Sequence, residues 1–199
     1  VTVTGKVFGV GMFKTGTTTL GVALERLGLR AHHWFWPQLD GLAPYFDLDS
    51  AKFAPFEPEI RAKVERFDAF ADAPWLFLYR ELDAWYPGSR FVLTLRRDSE
   101  TLVRAQLGQW RRLGILEQWL EEEGYYPPPE KFLERYERHN ENVRAYFRDR
   151  PDDILEICWE TERNPWGRLA DFLGIRPAPA EPFPHENRAP APSNAETAR

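Results

Sequence analysis

The 199-residue sequence predicts an α/β fold: a three-layer arrangement in which a mostly parallel sheet of four to five strands is flanked by helices. Three observations carry this expectation. The run Lys6-Val-Phe-Gly-Val10 reads as a short buried strand, and behind it Leu20, Ala23, Leu24 and Leu27 fall at i, i+3, i+4 and i+7, the apolar stripe of a helix. The run Arg90-Phe-Val-Leu-Thr-Leu-Arg96 is continuous and rich in strand formers, the pattern of a central strand covered on both faces. Further strand-like runs, near 30–34 and 154–158, are separated by helical stretches.

Between the first strand and the first helix lies Gly9-Val-Gly-Met-Phe-Lys-Thr-Gly-Thr-Thr-Thr19. A glycine-rich turn at a helix start points backbone N–H groups and the positive end of the helix dipole at whatever it holds, which suits phosphate or sulfate. Gly11 and Gly16 keep the glycine spacing of G-x-x-x-x-G-K-[ST], so the expected fold is of the P-loop NTPase-like type. The residue after Gly16 is Thr17, not lysine; Thr18 follows, and the lysine stands inside the loop as Lys14. The alternative is a tight turn with an incidental lysine.

The remaining elements follow in order. Gly28 is placed to end the first helix. Leu29 to Phe35 reads as the second strand, with His32 and His33 near its carboxyl end, where open parallel sheets bind ligands. Alternation sends the two rings to opposite faces, so one of them, with His33 preferred, faces the site; a core or surface pair is the alternative. From Trp36 to Phe56 the chain is irregular and aromatic, either covering an acceptor or packing as a surface loop. Pro58 to Phe70 predicts a helix, and Pro74 to Tyr86 another that ends at Pro87 and Gly88. Asp72, just ahead of the latter, either caps it or acts as a base in the cleft. Asp98 or Ser99 caps a helix to about Trp110, which continues through Arg111–Glu123 as an acidic, solvated excursion. Glu130 to Arg150 predicts a long helix with His139 on its apolar stripe, a core histidine. Asp153 to Trp159 predicts the last strand, and Pro165 to Leu173 a short helix closed by Gly174. Residues 1–188 thus form a single domain with a helical excursion at about 98–150, and the Pro/Ala-rich segment 189–199 is a loose tail.

Phe13-Lys-Thr-Gly-Thr-Thr-Thr19 resembles the 5′-phosphosulfate loop of sulfotransferases that use 3′-phosphoadenosine 5′-phosphosulfate. The resemblance implies that Lys14 lies near the bridging oxygen of the sulfuryl donor and that Gly16, Thr17 and Thr18 hold the 5′-phosphate, within a loop that also includes Thr15 and Thr19. Tyr86 to Asp98 resembles the strand whose terminal arginine binds the 3′-phosphate, a role carried to Arg96, with Arg97 a secondary partner. Where the family has a serine in the next helix this chain has Arg104 and Ala105, so Arg104 or Ser99 takes the serine's place, or Arg104 is simply solvated. Trp166 to Gly174 resembles the family's late helix. Pro182-Phe-Pro-His-Glu-Asn-Arg188 resembles a segment of bacterial members, implying that it covers the cofactor and offers Arg188 to the 3′-phosphate. In this family the base commonly comes from near the second strand; here the candidates are His33, His32 and Asp72. The resemblance spans residues 6–188 and is nearest to small bacterial cytosolic members with Asp-x-Pro and Tyr-Pro-Gly-Ser-Arg patterns.

Composition bounds the partners. A net charge of −5 does not favour nucleic acid, so an anionic cofactor needs a local basic site. The single cysteine, Cys158, excludes an intrachain disulfide and fits a reducing compartment. No stretch approaches a transmembrane helix and no signal peptide is visible, so the expected location is the cytoplasm, with no membrane partner. Eight Trp and fourteen Phe suit a small-molecule acceptor of apolar or aromatic character. No metal-ligand cluster is recognisable, and the expected reaction is metal-free sulfuryl transfer from 3′-phosphoadenosine 5′-phosphosulfate to a hydroxyl, or less readily an amine. The rivals are an ATP-dependent small-molecule kinase, against which Thr17 and Arg96 count, and a non-catalytic nucleotide-binding module. Acceptor identity and oligomeric state are not legible.

Overall fold

The computed structural model describes residues 5–33, 50–112 and 129–186. Five strands form one sheet: β1 (Val7–Gly9), β2 (Ala31–His32), β3 (Ala69–Phe70), β4 (Arg90–Thr94) and β5 (Ile154–Ile157). Their order is β2-β3-β1-β4-β5 and every pairing is parallel. The expected α/β fold with a parallel sheet flanked by helices is therefore what forms. All carboxyl ends point the same way. The chain leaves β1 toward β2 on one side and later builds β4 and β5 on the other, so the crevice for a ligand opens at the end of β1.

Alternation along the strands separates two cores. Val7 and Val92 face Leu20, Ala23 and Leu24 of α1 (Thr17–Arg26) and Leu169 and Leu173 of the last helix (Pro165–Leu173). Phe8, Phe70, Phe91 and Leu93 face the opposite layer: Ile60 and Val64 of α2 (Glu57–Arg66), Leu82 of α3 (Tyr79–Trp85), and Val143 and Phe147 at the end of a long helix (Pro129–Tyr146). In chain order those two later helices are α5 (Pro129–Tyr146) and α6 (Pro165–Leu173), after α4 (Ser99–Arg112). Phe8 stacks on Phe70 with centroids 5.2 Å apart across the β1–β3 pair. A third cluster, Met12, Ala73, Leu76, Leu102, Phe132 and Tyr136, lies under α4 and α5 beside the carboxyl ends.

Several boundaries differ from expectation. The helix expected over Pro58–Phe70 stops at Arg66, and Ala69–Phe70 becomes strand β3. The two residues pair on both sides, Phe70 beside Phe8 and His32, and Asp68 anchors the entry by a fork to Arg30 at 2.9 and 2.8 Å. That fork holds the Asp68 carboxyl at about 2. Burial of a fully paired apolar pair overrides the helical pattern that runs into it. The helix expected over Pro74–Tyr86 splits into a 3₁₀ turn at Trp75–Phe77 and α3. The long helix expected at Glu130–Arg150 ends at Tyr146, and β1 and β2 are shorter than the runs 7–11 and 30–34. Asp98 rather than Ser99 caps α4, its Oδ1 accepting from the Thr101 N–H at 2.7 Å. The irregular segment expected from Trp36 lies outside the described residues up to position 49, as do 113–128 of the excursion and the tail.

Candidate active site

The loop after β1 is shaped by Thr15. Its buried hydroxyl donates to the Met12 carbonyl and sits 2.6 Å from the Thr94 hydroxyl at the end of β4, so it closes the turn and ties it to the neighbouring strand. Gly16 then takes φ 92°, a conformation that favours glycine, and a Cβ there would stand 2.5 Å from the Trp159 ring. The Trp159 indole N–H donates to the Gly16 carbonyl at 3.2 Å. Gly16, the residue ahead of α1, has no side chain to cap it, and the first turn of the helix holds no acidic residue, which leaves the dipole end suited to an anion.

Two side chains beside this turn come from strained backbone. Lys14 has φ 68° and Asp72 φ 75°, both left-handed and uncommon away from glycine. Asp72 follows β3. Its Oδ2 accepts from the Thr17 hydroxyl at 3.0 Å and its Oδ1 from the Ala73 N–H at 2.9 Å. Asp72 is half-buried. Burial raises the Asp72 pKa, and Thr17, Ala73, Lys14 and His33 only partly offset that. Asp72 caps no helix in the way expected; its carboxylate turns to Thr17 at the start of α1. Burial lowers the Lys14 pKa, Arg112 and Arg96 lower it further, and Asp72 acts against them.

His33 and His32 diverge, as alternation requires. The His33 ring lies on the backbone of α1, where a Cβ on Gly21 would stand 1.9 Å from its Cε1, and the field of its imidazole reaches Asp72. His32 faces the other layer, edge-on to Phe67 at 4.7 Å, and burial lowers its pKa. His139 is half-buried on the apolar side of its helix, as suits the expected core histidine; its Nε2–H donates to the Val10 carbonyl at 2.7 Å.

Past β4 the chemistry is cationic. The Arg96 N–H donates to the Tyr136 hydroxyl at 3.1 Å, and its side chain is largely enclosed. The Arg96 Nη1 lies 3.7 Å from Glu160 Oε1, while its Nε is buried with no partner among the described residues. Arg97 points away, bonded to Asp98 and Thr101. Behind the turn the C-terminal segment crosses Trp159: the Phe183 ring lies 4.8 Å from both Trp159 and Trp166, and the Glu186 N–H donates to the Thr19 hydroxyl at 3.1 Å.

A model of the sulfotransferase domain matches residues 6–106 and 102–191. The chain belongs to the sulfotransferase family. It is also similar to the Ava biosynthesis cluster protein M of Aspergillus versicolor, 27% identical over 213 aligned positions that cover 90% of this chain and 80% of that protein.

Within this sulfotransferase the sequence-derived residues fall into three groups. Lys14, Gly16, Thr17, His33 and Asp72 gather around the turn, and Arg96 lies near enough for its charge to act on Lys14. Thr15 and Thr19 border it, bonded within the protein, with Thr18 half-buried on the same helical start. Arg104 lies on the solvent face of α4, paired with Glu100, and Ser99 is exposed at that helix's start. Arg188 lies outside the described residues. Sequence reading missed Trp159, Tyr136, Glu160 and Arg112, which reach the site from distant elements with no local motif to mark them. Among the described residues no group of His, Cys, Asp or Glu is arranged to hold a metal ion, and no helix is long and apolar enough to cross a membrane.

Proposed function

We propose that this sulfotransferase moves a sulfuryl group from 3′-phosphoadenosine 5′-phosphosulfate to the hydroxyl of a small apolar or aromatic acceptor, with Asp72 as general base. The observation that carries the reading is the meeting of Lys14 and Asp72, each on left-handed backbone, across Thr17 at the start of α1. Strain of this kind persists where a site requires it. Two features support the donor: a helix start preceded by glycine for the 5′-phosphate and, for the 3′-phosphate, the Arg96 guanidinium, whose Nε has no acceptor among the described residues.

In this scheme the acceptor oxygen forms a bond to sulfur as the bond from sulfur to the bridging phosphate oxygen breaks. The acceptor proton passes to Asp72, whose raised pKa makes it a better base than an exposed aspartate. Negative charge develops on the departing phosphate oxygen, beside the Lys14 ammonium and the α1 dipole. Phe13, next to Lys14, meets Phe77 edge-on at 6.2 Å, and both rings are part-exposed, which supports an apolar acceptor. Asp72 is preferred to His33 as the base because its carboxylate bonds Thr17 of the loop helix directly.

The test is calorimetric titration with 3′-phosphoadenosine 5′-phosphate without magnesium, beside ATP with magnesium, on the wild type, Lys14→Ala and Arg96→Ala. Preference for the bisphosphate, weakened at least about tenfold by Arg96→Ala, is the expected result. Preference for ATP with magnesium, or indifference to Arg96, sinks the reading in favour of a kinase.

A further inference from the structure

Arg96 and Glu160 form an ion pair that is neither close nor two-pronged. A guanidinium and a carboxylate at their best make two parallel N–H···O bonds of about 2.7–2.9 Å. Arg144 comes close to that with Glu156 of β5, Nε and Nη2 lying 3.0 and 2.7 Å from its carboxylate. Four residues further on, Glu160 reaches Arg96 through one contact of 3.7 Å, and the Arg96 Nε stays buried without an acceptor among the described residues. Glu160 is held back because its second oxygen, Oε2, accepts from the Arg97 backbone N–H at 2.9 Å. The side chains of Arg96 and Glu160 are 22% and 27% exposed, so solvent only partly screens the charge they share. A buried donor left unmet is costly, and the Arg96 side chain, only loosely held by Glu160 and still part-exposed, keeps hydrogen-bonding capacity for an incoming acceptor.

We propose that Glu160 is a fixed counter-charge that weakens the grip of Arg96 on a phosphate monoester and thereby sets the affinity of the nucleotide site. The proposal rests on reading Arg96 as the 3′-phosphate ligand. A phosphate dianion that bonds the Arg96 guanidinium stands beside a carboxylate that the Arg97 N–H keeps in place. The two anions share one guanidinium and repel each other. Donor and by-product both carry the 3′-phosphate, so Glu160 loosens both, and a by-product held less tightly leaves sooner.

The experiment is calorimetric titration of the wild type, Glu160→Gln, Glu160→Ala and the double variant Arg96→Ala/Glu160→Gln with 3′-phosphoadenosine 5′-phosphate and with adenosine 5′-monophosphate, which lacks the 3′-phosphate. Glutamine keeps an acceptor for the Arg97 N–H, and alanine removes the charge without adding an amide. Both single variants should bind the bisphosphate about tenfold more tightly, the equivalent of about 1.4 kcal/mol. The monophosphate should change by less than about twofold, and the gain should vanish in the Arg96→Ala background. Bisphosphate binding that is unchanged or weaker in both Glu160 variants, or an equal gain for both nucleotides, overturns the proposal alone. A wild-type protein that binds neither nucleotide overturns the reading of the site and the proposal with it.

Discussion

At the end of β3, Asp72 has both carboxylate oxygens engaged by the protein, one by Thr17 and one by Ala73. At the end of β4, Arg96 has a buried N–H without a partner among the described residues and a long contact to Glu160. The two lie on either side of β1 and its loop. The β3 end is complete without ligand, as suits a group whose protonation must be set before the acceptor arrives. The β4 end is left unfinished, as suits a group whose partner is the nucleotide. On this view the first region governs turnover and the second governs affinity.

The largest effect should come from separating those roles. Asp72→Asn removes the base, so kcat should fall by about 10²–10⁴-fold while bisphosphate affinity stays near wild type. In the wild type, activity should rise with pH through a limb above the ordinary Asp value of 3.8 and decline through a second limb below the ordinary Lys value of 10.5. A pH–rate profile of Asp72→Asn should lack the first limb. Because the folded-state pKa of Asp72 is raised, its ionisation opposes folding as pH rises through that pKa, so Asp72→Asn should also melt higher than the wild type at neutral pH and lose that advantage in acid. Equal losses of kcat and affinity would erase the division between the two ends.

A second test asks whether His33 shares the chemistry. Gly21→Ala forces the His33 ring off the α1 backbone and should cost about 1–3 kcal/mol in thermal or denaturant unfolding. With Asp72 as base, kcat should fall by less than about tenfold. A loss as large as that of Asp72→Asn would move the base to His33.

The smallest effect concerns the support beneath the loop. His139 bonds the Val10 carbonyl just ahead of the turn, and burial lowers its pKa from 6.5. A folded-state pKa below the unfolded one adds stability at neutral pH that is lost as pH falls from 6.5 through the lower folded value. The loss should approach about 1.4 kcal/mol per pH unit in that window. Melting curves between pH 7 and 5 should show it, and His139→Gln should flatten it.

How much was legible follows from where each signal resides. The loop, α1, β4 and α6 carry their own patterns within a dozen or so residues, and they appear where expected. Strand β3 does not: two residues following a helical run carry no period, and only pairing with β1 and β2 makes them a strand. Asp72 was visible as a candidate but not in its role, because whether it caps a helix or meets Thr17 depends on how β3 is set beside β1. Arg104 stood where a family pattern pointed, yet its rotation about α4 sends it to Glu100 and solvent.

The sequence by itself determined the fold class, the glycine-rich turn ahead of α1 and the strand-end arginine, because glycine spacing, apolar periodicity and a terminal cation are local properties of the chain. Only the tertiary structure decided that Trp159 seals Gly16, that Tyr136 holds the Arg96 backbone, that Glu160 faces its guanidinium, and that Asp72 rather than a neighbouring histidine bonds Thr17. Those contacts join residues 40 to 143 positions apart, or 64 and 55 by number for the last two. Their energies depend on burial and distance, which no local pattern encodes.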